Sequence, residues 1–233
     1  HEPAGNMIVD IGGGTTEVAV ISLGGIVASE SSRVGGDEFD EAILAFMKRE
    51  YSLALGERTA EEVKVQLASA WPLEEELYAE VRGRDLVSGL PKTIVLSTVE
   101  IRVAIEEPTA SIVDSVKVTL DQTPPELAAD IIDNGIILTG GSSQLRQMPE
   151  LIYRRTGVVS KLATDPYYCV ARGTGVVLPG ETAPVGTQPD SDPSTAGVQP
   201  FANSALDPDI IYLGVLHPLT VSGGPIANDD VSI

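Results

Sequence analysis

Aromatic residues make up only 4% of this 233-residue chain, and bases are scarce: 15 Lys and Arg stand against 34 Asp and Glu, a formal net charge of −19. The shortage of cations argues against a nucleic-acid binder, because phosphate backbones are held by clustered Lys and Arg. With so few aromatics, the core must be built from Val, Ile, Leu and Ala, which suits helices packed on sheets. The 42% of hydrophobic residues is enough to bury such a core, as one large domain or two small ones. A single cysteine, Cys169, cannot make an internal disulfide, a usage that fits a reducing compartment. No signal peptide is expected from these residues, and no run of 18 apolar residues, the length that would span a bilayer, occurs among them. No Gly-Lys-Ser or Gly-Lys-Thr follows a glycine loop, so a P-loop is excluded. The chain opens on His1 rather than Met and is expected to be a piece of something longer.

Composition divides the chain near residue 178. Before it, strands and helices alternate; residues 179–233 carry eight of the 16 prolines, and no Lys or Arg follows Arg172. This acidic, Pro-rich tail is expected to be disordered and is given no function. In the first part, Met7 to Ile11 reads as an apolar strand, Gly12-Gly13-Gly14 as a turn, Glu17 to Ser22 as a second strand, and Gly24-Gly25 as the start of a third that runs through Val34. Asp37 is expected to cap a helix with Phe39, Ala42, Ile43, Phe46 and Met47 on one face; such a stripe is usually core, with a filament contact as the alternative. Thr59 with Glu62, and Ser97 with Glu100, read as capping boxes opening two further helices, the first running to Ala70 before Pro72. Leu77–Arg82 and Thr93–Leu96 read as a hairpin, Pro108 as the first turn of a helix to about Leu120, and Ile136–Leu138 as a buried strand. A helix near Gln144–Arg155 capped by Gly157 is expected to follow.

Three constellations point to chemistry. Asp10-Ile-Gly-Gly-Gly-Thr-Thr-Glu17 places a carboxylate at the end of a buried strand, then a turn without side chains that can aim backbone N–H groups at a phosphate. Thr hydroxyls add donors, and Asp10 can hold magnesium through water. A plain hairpin turn is the alternative. A dinucleotide-binding fingerprint is excluded, since that motif opens a helix, whereas an alternating strand follows here. The second constellation, Ile136-Ile-Leu-Thr-Gly-Gly-Ser-Ser143, ends a strand at bare backbone on which an adenine or ribose could lie, or is an ordinary strand-to-helix turn. Between them, Glu61 and Lys64 share a helical face and could meet ribose and adenine, or form a surface ion pair.

Together these segments carry a resemblance. Asp10 to Glu17 resembles the second phosphate loop of the actin, sugar-kinase and heat-shock-chaperone ATPase superfamily. Its continuation, EVAVISLGGIV and then RVGGDEFDEAI, is similar specifically to the MreB family of bacterial actin-like cytoskeletal proteins, as are Gly56-Glu-Arg-Thr-Ala-Glu-Glu-Val-Lys64, Glu80-Val-Arg-Gly-Arg-Asp-Leu86, Pro124-Pro-Glu-Leu-Ala-Ala-Asp130 and Leu138-Thr-Gly-Gly141. The similarity runs over residues 5 to about 178.

The resemblance implies an α/β, actin-like (ribonuclease H-like) ATPase domain: a mixed five-stranded sheet flanked by helices, with core 5–55 and 109–178 and a small α+β insertion at about 56–108. It implies ATP and Mg2+ as cofactors. Gly12, Gly13 and Gly14 would hold the β- and γ-phosphates, Asp10 the Mg2+ shell, and Thr15 the attacking water. Glu61, Glu62 and Lys64 would face the nucleoside, and Gly140, Gly141 and Ser142 the adenine. Ser142 departs from the family's usual third glycine, so its side chain is expected to approach the nucleotide. The implied partners are further copies of the chain in filaments, and membrane proteins of cell shape and wall synthesis. The implied location is the cytoplasm, peripheral to the inner membrane. The family's first phosphate loop, its membrane-inserting segment and the acidic residue that positions hydrolytic water match nothing in these residues, so the chain alone is expected to have negligible ATPase activity. Two alternatives are a truncated, non-hydrolysing partner of full-length filaments and a sugar-kinase or chaperone-type ATPase of the same fold.

Overall fold

The computed structural model describes residues 4–177. The tail assigned to 179–233 therefore lies outside the described residues. Among the described residues, eight strands form two sheets. β1 (Asn6–Ile11), β2 (Thr16–Ser22), β3 (Gly25–Ser32), β7 (Ile136–Thr139) and β8 (Ser160–Leu162) make a five-stranded sheet in the order β3-β2-β1-β7-β8. β4 (Leu53–Ala54), β5 (Tyr78–Asp85) and β6 (Pro91–Ser97) make an antiparallel three-stranded sheet. The larger sheet is mixed, as expected: β1–β2–β3 is an antiparallel meander, whereas β1, β7 and β8 run parallel. β1 sits centrally, and Met7, Ile8, Val9 and Ile11 are all buried, which is why its sequence is a continuous apolar run rather than an alternation.

Helices α1 (Gly36–Tyr51), α2 (Glu57–Leu67), α3 (Thr98–Ala104), α4 (Glu106–Asp121), α5 (Pro125–Asn134), α6 (Met148–Thr156) and α7 (Cys169–Val177) complete the described residues. α4 packs on β2 and β3, α5 on β1, and α6 on β8. The α1 stripe is core: Phe39, Ile43, Phe46 and Met47 are buried, each worth about 1.5–3 kcal/mol in apolar transfer, and Ala42 is half-buried. Ser97 caps α3 as expected, accepting from the Glu100 N–H while the Glu100 carboxylate accepts from the Ser97 N–H at 2.8 Å. Pro108 lies in the first turn of α4, and Gly157 caps α6 with a left-handed φ of 78°.

Several local expectations are corrected. α1 begins at Gly36, so Asp37 lies inside its first turn; the cap position is Gly35, whose N–H donates to Glu38 at 2.7 Å. α2 begins at Glu57 and ends at Leu67, which puts Thr59 within the helix and undoes its capping box. The strands of the β5–β6 hairpin run further than expected, because the turn closes only at Leu86–Leu90. After Gly140 comes a single 3-10 turn, Gly141–Gln144, and the α-helix waits until Met148. Neither α5 nor β8 is among the expected elements; β8 is a three-residue edge strand with little apolar pattern to detect.

Candidate functional site

Topology places the two glycine turns side by side. β1 and β7 are adjacent and parallel, with Asp10 in register with Thr139, so both chains leave the sheet at the same level. The carboxyl ends of neighbouring parallel strands are where α/β sheets bind ligands.

The turn after β1 is held from behind by the start of α1. Gly12 N–H donates to Thr15 O at 2.8 Å, Gly36 N–H to Gly12 O at 3.1 Å, and Asp37 N–H to Gly13 O at 2.8 Å. Two of the N–H groups that α1 leaves without intrahelical partners are thereby spent on the turn's carbonyls. Every peptide bond among the described residues is trans, so N–H and C=O of one peptide point opposite ways. With the Gly12 and Gly13 carbonyls drawn toward α1, the N–H groups of Gly13 and Gly14 aim away from it. Neither has a hydrogen-bond partner among the described residues, and both glycines are exposed.

Steric demand separates these glycines from their neighbours. A Cβ on Gly35 would lie 2.5 Å from Gly13 O, one on Gly36 would lie 2.6 Å from Ser142 Oγ, and one on Gly140 would run into Ile11 O and the Asp10 carboxylate. The fold itself requires those three. Gly13 and Gly14 are different: an added Cβ would have only the Asp37 carboxylate nearby, at 4.0 and 3.7 Å. None of Gly12, Gly13 and Gly14 has a positive φ, so left-handed backbone is not what calls for glycine there. Bare backbone at 13 and 14 serves nothing in the chain's own packing, and it leaves room for a ligand to approach the outward N–H groups.

Asp10 is half-buried at the end of β1, opposite Glu17 on β2; burial first, then the Glu17 charge, push its carboxyl above the ordinary range. Thr15 is exposed at the turn, while Thr16 is buried and donates to Val34 O at 2.7 Å. Ser142 does not project into open space. Its hydroxyl donates to Gly12 O at 2.8 Å and ties the second glycine turn to the first. Lys64 reaches the same cluster, but its ammonium donates to Asp40 at 2.6 Å and to Gly36 O at 3.0 Å, leaving one donor over. Both side chains of this pair are over four-fifths buried. Glu61 lies near enough to raise the Asp40 carboxyl, though burial raises it more and Lys64 opposes both. Glu62 is exposed and pairs with Arg58 at 3.3 Å along the surface of α2.

Three contributors escaped the sequence reading. Asp40 orients Lys64, and its Oδ1 is buried without a hydrogen-bond partner. Asp37, taken as a cap, faces Gly13 and Gly14. Tyr167 comes from a 3-10 turn, Pro166–Tyr168, that is fastened to the second glycine turn: Gly140 N–H and the Thr139 hydroxyl both donate to Pro166 O, at 2.9 and 3.0 Å. A Cβ on Gly141 would lie 3.2 Å from the Tyr167 ring, and that ring is 69% exposed, a flat apolar surface at the edge of the turn. The run Asp165-Pro166-Tyr167 carried a turn signal, but nothing in it pointed to Gly140.

The residues fit a phosphate better than a fully protein-held metal. No group of three or more His, Cys, Asp or Glu among the described residues is arranged to hold a metal ion. Magnesium at Asp10 would need its remaining ligands from water and phosphate. A separate cavity of about 360 Å³, lined by Trp71, Arg102, Val113, Lys117, Leu151 and Arg155 among others, holds none of the candidates. No helix among the described residues is long and apolar enough to cross a membrane.

Comparison with known proteins gives a consistent answer. The family model described as MreB/Mbl protein matches residues 1–184. The cell shape-determining protein Mbl of Bacillus subtilis is 50% identical over 177 residues, covering 76% of this chain and 53% of Mbl. The cell shape-determining protein MreB of Escherichia coli is 51% identical over 177 residues, covering 76% of this chain and 51% of its own length. This chain thus spans about half the length of the curated relatives it matches. Among solved structures, ADP-bound MreB5 of Spiroplasma citri superposes with a TM-score of 0.73 at 41% identity, covering 75% of this chain and 53% of MreB5. A MamK double helical filament gives 0.59 at 25% identity, covering 70% and 50%. The fold is actin-like.

Proposed function

The chain belongs to the MreB/Mbl family, and from that premise we propose that it is part of an ATP-binding subunit of an actin-like filament that determines rod cell shape and organises wall synthesis. It contributes one wall of the nucleotide cleft. The observation that carries this reading is the pair of glycines, Gly13 and Gly14, whose missing side chains the fold does not require and whose outward N–H groups have no hydrogen-bond partner among the described residues. The nucleotide-bound state of MreB5, crystallised with ADP and with AMPPNP, supports adenine nucleotide as the ligand.

In this reading the Gly13 and Gly14 amides bind phosphate oxygens, the Thr15 hydroxyl orients the attacking water, and the nucleoside lies between the Gly140–Gly141 backbone and Glu61, Glu62 and Lys64. Tyr167 offers its ring to the adenine edge. Asp10 would hold the water shell of Mg2+, which would neutralise phosphate charge; burial and then Glu17 raise this carboxyl, and a cation beside it would oppose that rise. Asp40 fixes the Lys64 ammonium. Residues 5–55 and 109–178 act as the core of the second actin-like domain, and about 56–108 as its insertion.

Hydrolysis needs electrostatic stabilisation from both walls of a closed cleft. A polypeptide of these 233 residues is therefore expected to bind Mg-ADP but to turn over ATP negligibly. Titration calorimetry and a phosphate-release assay on the purified chain test both halves. Turnover that Asp10→Ala abolishes would contradict the second half. Sedimentation with and without a full-length family member separates a filament subunit, which pellets with ATP, from a non-hydrolysing partner, which pellets only with the full-length protein.

A further inference from the structure

We propose that the Ser142 hydroxyl is a strut that sets the phosphate turn before nucleotide arrives, so that it governs the grip on phosphate rather than contact with the nucleoside. The proposal rests on the nucleotide reading above and deepens it. Ser142 is separated from Gly12 by 130 residues, yet its Oγ donates to Gly12 O at 2.8 Å. The same carbonyl accepts from Gly36 N–H at 3.1 Å. It is thus gripped by two donors from two different elements, α1 and the turn after β7.

The direction of that carbonyl decides what the turn offers a ligand. Gly12 C=O and Gly13 N–H belong to one trans peptide, so a carbonyl held toward α1 keeps the amide outward. Between two glycines no Cβ resists rotation of that peptide. Were it to turn over, an oxygen would face the incoming phosphate in place of a donor. One hydrogen bond opposes this weakly; a second, from a separate element, makes the outward amide the resting state.

The surroundings are shaped to this hydroxyl. A Cβ at Gly36 would lie 2.6 Å from Ser142 Oγ, so the glycine there clears the space the hydroxyl occupies. The turn that carries Ser142 is itself fastened: the Ser143 hydroxyl donates to Gly140 O at 2.7 Å, and Leu145 N–H to Ser142 O at 3.1 Å. Having donated its one proton to Gly12, the hydroxyl keeps only acceptor capacity, which suits neither a phosphate nor an acceptor on the nucleoside. Ser142 is therefore a positioning residue.

The test uses the 233-residue chain with Ser142→Ala and Ser142→Gly. Amide exchange without nucleotide is read at Gly12 and Gly36, and ADP and adenosine are titrated in the presence of Mg2+ by amide chemical shifts. Both substitutions are expected to speed exchange at Gly36, to weaken ADP roughly three- to tenfold, the effect of one lost hydrogen bond, and to leave adenosine binding unchanged. A merely structural role would not separate the two ligands. If Ser142→Gly binds ADP as tightly as the parent or tighter, the side chain is an obstruction and the strut is overturned. An equal loss for adenosine and ADP overturns it as well, by making Ser142 a nucleoside contact. Failure of the parent chain to bind ADP at all sinks the nucleotide reading, whereas ADP binding that ignores both substitutions sinks the strut alone.

Discussion

Replacing Gly13 with Ala separates what the fold needs from what a ligand needs. The added methyl would find the Asp37 carboxylate 4.0 Å away as its nearest neighbour, and the backbone there is not left-handed. Stability should therefore fall by no more than about 0.5 kcal/mol, or rise by up to about 1 kcal/mol through the lost freedom of the unfolded chain. Gly140→Ala is the contrast. Its φ is +86°, and the methyl would be driven into Ile11 O and Asp10. A left-handed residue costs roughly 1–2 kcal/mol and overpacking roughly 1–3, so the melting temperature should fall by on the order of 10 °C. Binding reverses the order. A phosphate oxygen must come within about 2.9 Å of the Gly13 amide, and a methyl over the turn costs at least one charge-assisted bond, about 1.5–3 kcal/mol, or roughly 10- to 150-fold in Kd for ADP. Calorimetric melts without nucleotide and ADP titrations with Mg2+ measure both quantities. ADP affinity unchanged by Gly13→Ala would refute the cradle, and a melting drop as deep as that of Gly140→Ala would show that the fold required the glycine after all.

Other outcomes follow from the charges. Asp10 has a raised carboxyl, so the stability it allows is greatest below pH 3.8 and declines as pH rises through its folded value; Asp10→Asn should melt higher than the parent at pH 7, show no such gain in acid, and lose the Mg2+ dependence of ADP binding. Lys64→Met strands Asp40 without its ammonium, and for a pair not fully buried a loss of about 1–3 kcal/mol is expected at pH 7. Because protonating Asp40 removes the stranded charge, that loss should shrink toward pH 4 in urea melts; a pH-independent loss would assign it to packing. At the β5–β6 tip, the Ser88 N–H, Lys92 and the Val87 N–H hold the Asp85 carboxyl down at about 2. Asp85→Ala should quicken amide exchange at 87 and 88 without moving the global melt. The parent tip should loosen only as pH falls from 3.8 through about 2, since a lowered carboxyl contributes above its unfolded value and is lost in acid.

The sequence alone determined what short-range rules control. A continuous apolar run marked the central strand, glycines marked both turns, Ser97 with Glu100 marked a helix start, and the order of motifs identified the family. Each of these depends on neighbours a few residues apart or on the pattern as a whole. Where short-range rules misled, a contact distant in the chain had taken over: Asp37 failed as a cap because the Gly12 and Gly13 carbonyls, over 20 residues upstream, already engage the first amides of α1. Tertiary structure decided the rest. Ser142 turned to Gly12 rather than to open space because adjacent parallel strands bring residues 130 apart into hydrogen-bond range. Lys64 chose Asp40 over Glu61 because packing α1 against α2 buried an unpaired carboxylate beside it. Tyr167 reached Gly141 only because Pro166 O caps the end of β7. A side chain's partner is set by which surfaces the folded chain brings together, and a linear pattern carries that only where it also dictates the sheet order.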